Sequence, residues 1–401
     1  MLYSPPIKLY QQTIFPAIRQ SHAFIALSVC LVLTSMLLIN DALEKNQPFQ
    51  YLPNLNPNRS AHDFDPIPTR IKKFARSYYK CDKNITLSKF THEDSESNQL
   101  FFLETSGRTF IKGRQMCSIE SAALMSELKL KIILKSPVLD LSKSRSLCHI
   151  FYSYDNVGFY ALDFKGLLRD TPAEGLEERV ARVVGHQMVH TSDIARLALA
   201  YKYGGFYLDL DIIVLRSLKE LHNFLILENG KPSITMSESD KSCHLPSRRQ
   251  RGQKLNNGQM HFSAGHPFTR YMLMYLNQTY DPDLNWRFQA GPQVCTAVVK
   301  EMYGLAEVVN MQIESSEDRS FNILPDFTFM PASFSRIKEL LWPRQPKSTE
   351  EWNDLFRCSY AVHYHSHVFG SIKATGDPEK DFLSFLAPNL CPISYQNVDE
   401  V

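Results

Sequence analysis

Apolar residues along this chain fall into three patterns, and each predicts a different kind of element. The first is a single uncharged run, AFIALSVCLVLTSMLLI, over residues 23–39. As a helix rising about 1.5 Å per residue, it is long enough for a thin bilayer. The second pattern is short blocks bounded by polar or turn residues: Leu100 to Leu103, Lys131 to Leu134, Phe159 to Leu162, and Phe206 to Leu215. Their length and their Ile, Val and aromatic content predict buried strands. The third pattern has helical spacing. It covers CSIESAALMSEL at 117–128, then Ile194, Leu197 and Ala198, and QVCTAVVKEM from Gln293. The helix around Ile194 is expected to start at Ser192, with Ser192 or Asp193 as its N-cap, and to stop at Gly204-Gly205. Strands alternating with helices predict an α/β domain with a largely parallel sheet.

Organisation follows from the same patterns. The expected divisions are a cytosolic tail (1–22), a transmembrane signal anchor (23–39), a stem (40–95), a catalytic domain (96–395) and a C-terminal tail (396–401). The stem carries Pro48, Pro53, Pro57, Pro66 and Pro68 and the acidic run HEDSES, a composition that does not build a core. A cleaved signal peptide is the rival reading of 23–39. It is disfavoured by the 22 residues that precede the run and by Asn40 and Asp41 where a small-residue cleavage site would lie. Flanking charge does not fix the orientation, because Lys8 and Arg19 on one side match Lys45 and Arg59 on the other. Three sequons, at Asn58, Asn84 and Asn277, favour a lumenal C-terminal portion. Cys30 falls in the apolar run, and the other seven cysteines are widely spaced with no C-x-x-C pair. They read either as lumenal disulfides with a thiol left over or as buried small hydrophobes. Residues 237–254 form a polar, basic insertion, read as a surface loop or as a lid. With 401 residues, 44% of them hydrophobic, the chain can bury a full core, and a formal net charge of +2 gives no case for nucleic acid.

The chemistry concentrates in GGFYLDLDIIVL. On an extended chain, Asp209 and Asp211 at i and i+2 share one face. Two hard oxygen donors there suit Mn²⁺ or Mg²⁺, above all a cation also held by a diphosphate. Carboxylates among Phe, Tyr, Leu and Ile are costly unless paired or metal-bound. Gly204-Gly205 would also let a ligand approach the backbone. Asp193 and Arg196 are three apart on a helix, either as an ordinary ion pair or as sugar and phosphate contacts. His186 and His190 share a helical face, but Gln187 stands where a zinc protease needs Glu. His363, His365 and His367 alternate, and of the three His363 is the expected functional residue. Gln293 either faces a reacting carbon or simply begins the helix after Gly291-Pro292.

Together, Ser-Asp-x-x-Arg at 192–196, Gly-Gly-x-Tyr-Leu-Asp-x-Asp at 204–211, FFLETSGR, CSIESAA, LDFKGLLRDTP, LNNG, FQAGPQV and YAVHYHS resemble the alpha-1,4-glycosyltransferases in order, from about Phe101 to Pro392. The resemblance implies a GT-A, Rossmann-like nucleotide-sugar-binding domain behind the transmembrane helix. It implies a retaining enzyme that moves galactose or N-acetylgalactosamine from a UDP-sugar to a glycosphingolipid. Asp209, Asp211 and His363 would hold the metal. Asp193, Arg196, Tyr207, Asp209, Asn257 and His363 would bind the donor, and Asp209, Asp211 and Gln293 would be catalytic. The implied partners are UDP-galactose or UDP-N-acetylgalactosamine, a glycolipid acceptor and the Golgi membrane, with a homo- or hetero-oligomer compatible with all of these. The chain departs from the family at His-x-Trp-Asn, reading His363-Tyr364-His365-Ser366. Three alternatives follow: an inactive glycan-binding Golgi relative, an alpha-1,4-N-acetylglucosaminyltransferase acting on glycoprotein glycans, and a hydrolase using Asp209 and Asp211 as acid and base.

Overall fold

The computed structural model describes residues 79–228, 254–284, 289–305, 311–313, 321–332, 337–341, 343, 345–366 and 374–396. All of them lie in one compact unit, Leu52–Val401. The apolar run 23–39, the sequon at Asn58 and nearly all of the insertion lie outside the described residues. Among the described residues, no helix is long and apolar enough to cross a membrane.

The strands are β1 (Asn84–Thr86), β2 (Gln99–Glu104), β3 (Lys129–Leu134), β4 (Val138–Asp140), β5 (Val157–Ala161), β6 (Gly205–Leu208), β7 (Ile212–Val214), β8 (Phe224–Glu228), β9 (Lys254–Phe262), β10 (Met311–Ile313), β11 (Phe321–Leu324) and β12 (Ala361–His363). An eight-stranded sheet has the order β10-β11-β8-β9-β6-β2-β3-β5. The pairings β2 with β3 and β6, β3 with β5, and β8 with β11 are parallel. By contrast, β9 runs against both β6 and β8, and β10 against β11. The sheet is therefore mixed, with six strands pointing one way. Their C-terminal ends, together with the start of β9, form one edge.

Helices cover both faces. On one lie α3 (Gln187–Tyr203), α4 (Pro267–Thr279) and α5 (Pro292–Tyr303); on the other lie α1 (Gly113–Met125) and α2 (Arg145–Ser153). Alternation along β2 shows why its apolar run is continuous. Phe101 and Leu103 pack with Ile194, Leu197 and Val298, while Leu100 and Phe102 pack with Ile119, Leu147 and Ile150. A third cluster joins Ile213 of β7 and Val362 of β12 to Trp352, Phe356 and Phe382. The pair β7–β12 is a separate antiparallel ribbon.

Several expectations change. The run Phe206 to Leu215 is two strands in two sheets, broken at residues 209–211, because the ribbon with β12 draws β7 away from the central sheet. The helix around Ile194 starts at Gln187, with His186 at its N-cap, so Ser192 and Asp193 are interior. The turn before Ser192 is helical because His190 is fully buried against Tyr280. The glycine pair does not open the backbone to a ligand. Gly204 and Gly205 have φ of 66° and 106°, and a side chain there would strike the Ala264 and Gln99 backbones. The domain begins before residue 96, since β1 pairs with β4 and Cys81 is bonded to Cys148. Lys254 belongs to β9 rather than to the insertion. The cysteines are mostly bridged: Cys117 joins Cys391, Cys358 is also disulfide-bonded, and Cys295 is a buried free thiol. Asn84 is exposed on β1. The Asn277 amide instead donates to the Pro172 carbonyl and accepts from Arg179, so a glycan on its nitrogen would crowd the contact with Pro172.

The chain end is locked to α1. Beside the Cys117–Cys391 bridge, the buried Glu120 carboxylate accepts from the Ile393 and Ser394 amides, the Ser394 hydroxyl and Tyr154. Burial outweighs these donors and pushes its pKa up to about 7 from 4.5. Between those values the folded chain holds a proton that the unfolded chain has released. Stability should therefore fall as pH rises from about 4.5 through about 7, by roughly 3 kcal/mol in total. Urea unfolding at pH 5 and pH 8 checks this, with the pH slope clearly shallower in Glu120→Gln.

Candidate active site

The edge of the sheet is organised around Asp209. It follows β6 directly, and its amide donates to the Gly258 carbonyl of β9 at 2.7 Å. Tyr207 shares its strand face and donates its hydroxyl to Asp209 at 2.7 Å. Arg196 reaches the same carboxylate oxygen at 3.2 Å and Asp193 at 3.3 Å. Its guanidinium also lies 4.7 Å from the Tyr207 ring centroid. The pair Asp193–Arg196 is thus more than an intrahelical bridge, because α3 delivers it to the D-x-D. Burial alone would lower the Arg196 pKa; Asp209, Tyr207 and Asp193 reverse the effect, so the cation is held.

Two glycines make room for these groups. A side chain at Gly258 would collide with the Asp209 carboxylate, and one at Gly291 would sit 2.9 Å from Asp193. Both residues belong to segments, LNNG and FQAGPQV, in which the sequence pointed to Asn257 and Gln293 and not to the glycines. Asn257 is buried; its amide lies 3.5 Å from Asp193, and its carbonyl accepts from Arg196 at 3.1 Å. Gln293 opens α5 beside Gly291, and its buried Oε1 lacks a hydrogen-bond partner among the described residues.

Asp211 turns to the β7–β12 ribbon. His363 Nε2 lies 3.1 Å from its carboxylate, and the Ser366 amide donates to the other oxygen at 2.8 Å. Burial opposes ionisation of Asp211, but His363 beside it holds the pKa below the usual carboxylate range. His363 responds in turn: burial lowers its pKa, and Asp211, Asp209 and Glu228 more than reverse this. The expected alternation His363, His365, His367 fails at His365, which has φ of 50° and sets its ring 3.9 Å from that of His363. His367 lies outside the described residues. Ser366, where the family pattern has Asn, contacts Asp211 through its backbone, so this contact does not depend on the side chain.

Among the described residues, one trio could hold a cation: Asp209, Asp211 and His363, with candidate ligand atoms within 4.8 Å of one another. His186 and His190 do not join such a group, and His190 Nδ1 is engaged by the Tyr280 hydroxyl at 2.6 Å. Asp193, Asp209 and Asp211 set three carboxylates against one guanidinium. This leaves an excess of two negative charges when His363 is neutral.

An edge with more carboxylates than guanidinium charge suits a substrate that arrives with a divalent cation. Residues 112–229 match the glycosyltransferase sugar-binding region containing the DXD motif. Residues 261–398 match the alpha 1,4-glycosyltransferase conserved region. The chain is 30% identical to mouse (Mus musculus) lactosylceramide 4-alpha-galactosyltransferase, over 75% of its length and 76% of that relative. It belongs to the alpha-1,4-glycosyltransferase family. Human (Homo sapiens) alpha-1,4-N-acetylglucosaminyltransferase is 26% identical over 76% of this chain and 82% of its own. Among solved structures, the galactosyltransferase LgtC in complex with donor and acceptor sugar analogs aligns over 74% of this chain and 95% of its own. That alignment has 11% identity and a TM-score of 0.34.

Gly258→Ala tests the packing around Asp209. The added methyl must push the carboxylate away from Arg196 and Tyr207. Sugar transfer should fall by about 100-fold, while far-UV circular dichroism stays that of the parent protein.

Proposed function

We propose that this protein is a retaining alpha-1,4-glycosyltransferase. It moves galactose or N-acetylgalactosamine from a UDP-sugar to a glycosphingolipid of the lactosylceramide type, with Mn²⁺, as a type II protein of the Golgi membrane. The observation that carries the reading is the cluster of Asp209, Asp211 and His363 beside the buried Arg196–Asp193 pair.

The residues fit a divalent metal. The donor set is two carboxylates and an imidazole. The buried Nδ1 of His363 has no hydrogen-bond partner among the described residues, and the bare Cα of Gly258 leaves the Asp209 carboxylate its space. When bound, the cation supplies charge neutralisation to a departing nucleoside diphosphate. The chain's own groups do the remaining work. Arg196 and Tyr207 fix Asp209 so that little reorganisation is needed. Asp193 and the Asn257 amide present an acceptor and a donor suited to sugar hydroxyls. The Gln293 Oε1, which has no hydrogen-bond partner among the described residues, offers a further acceptor at the start of α5.

The hydrolase alternative is disfavoured by Asp211, which is held ionised by His363 and is unsuited to donate a proton. The choice among galactose, N-acetylgalactosamine and N-acetylglucosamine rests on relatives of more than one kind. The test is a donor screen on the purified C-terminal portion with Mn²⁺, scoring UDP release with and without glycolipid acceptors. UDP release should require Mn²⁺ and rise with lactosylceramide. Asp211→Ala should lower it by at least about 100-fold, and undiminished transfer in that variant would remove the metal role.

A further inference from the structure

The two asparagines of the LNNG segment serve opposite faces of the sheet. Asn257 faces α3 and contacts Arg196 and Asp193. Asn256 pairs with Ile226 on the other face, as alternation requires. Its amide donates to Glu228 Oε2 at 2.9 Å, and its carbonyl oxygen accepts from the Gly258 amide at 2.7 Å. Lys254, directly across from Glu228 in the β8–β9 register, reaches Oε1 at 2.9 Å.

This cluster is close to the reacting centre. A side chain on Gly258 would meet both Asp209 and the Asn256 carbonyl oxygen, so those groups flank one backbone site. Glu228 ends β8 on the same edge as Asp209, and its charge is felt at His363. Among the described residues two donors fix Glu228, yet a carboxylate has about four lone-pair sites. Half of its accepting capacity is left, on a side chain only 16% exposed. A carboxylate repels phosphate and is well matched to neutral, vicinal hydroxyls. We infer that Glu228, oriented by Asn256 and Lys254, binds hydroxyls of the acceptor sugar, across the sheet edge from the donor-sugar contacts Asp193, Arg196 and Asn257.

The inference rests on the transferase reading above and deepens it. Its test is steady-state kinetics of the parent protein and Glu228→Gln, with Mn²⁺, UDP-galactose and lactosylceramide. Glu228→Gln keeps the shape and loses the charge, so KM for the acceptor should rise about tenfold or more, with KM for the donor within twofold. Lys254→Met should raise the acceptor KM in the same sense and less, since it loosens Glu228 without removing it. An unchanged acceptor KM in an otherwise active Glu228→Gln overturns this role alone. A donor KM that rises with it assigns Glu228 to the donor side and also overturns the role. A parent protein that turns over none of the three UDP-sugars overturns the transferase reading, and this inference with it. Thermal melting of each variant separates unfolding from lost contact: a variant that melts as the parent does and still shows the acceptor effect supports the role.

Discussion

Arg196 carries its guanidinium into the interior at 7% exposure, where an unpaired charge would be untenable. Its neighbours follow from that demand. Asp193 lies one helical turn before it, Asp209 directly follows β6, and Asn257 and Ser192 supply further acceptors. These groups come from three segments, α3 itself, the residue after β6, and β9, so all three must be in place before the charge is satisfied. The same contacts leave one Asp209 oxygen away from the cation of the core, on the side bounded by Gly258. A buried positive charge that is over-compensated by carboxylates makes a site that asks for a second positive charge from outside.

The second half of the site hangs on a separate frame. The ribbon β7–β12 fixes His363 opposite Ile212, and the Tyr364 amide donates to the Asp211 carbonyl at 3.0 Å. The cluster that anchors this ribbon contains Cys117, which is tied to Cys391, so a covalent link joins the chain's last helices to α1. The break of the chain between β6 and β7 is therefore structural in origin and chemical in effect. It hands Asp209 to the central sheet and Asp211 to the ribbon, and brings candidate ligand atoms of both within 4.8 Å of one histidine. The strand edge between them divides the surroundings into two faces, one with Asn257 and Arg196 and the other with Asn256 and Glu228.

Much of this was legible in the chain. Apolar runs placed β2, β3, β5, β6 and the helix from Pro292, and the i, i+2 spacing of Asp209 and Asp211 marked both as one site, although the chain breaks between β6 and β7 rather than running extended through them. The Asp193–Arg196 pair stood out because both charges sit in an apolar helix. Glu228, Gly258 and Gly291 did not stand out, because a strand-end glutamate and single glycines are common, and their meaning lies in what faces them. The start of α3 was misplaced because a local capping signal at Ser192 competes with burial of His190 against Tyr280, which is ninety residues away in sequence.

By itself the sequence determined what depends on local pattern and residue chemistry: alternating strands and helices, the D-x-D, and the family to which the ordered motifs belong. The tertiary structure decided what depends on contacts between distant segments. It broke the apolar run at Asp209, joined His363 to Asp211 across more than a hundred and fifty residues, and made the two glycines spacers for carboxylates. Charge in a low-dielectric interior is tolerated only with partners in reach, and those partners come from elements that periodicity can place but cannot bring together.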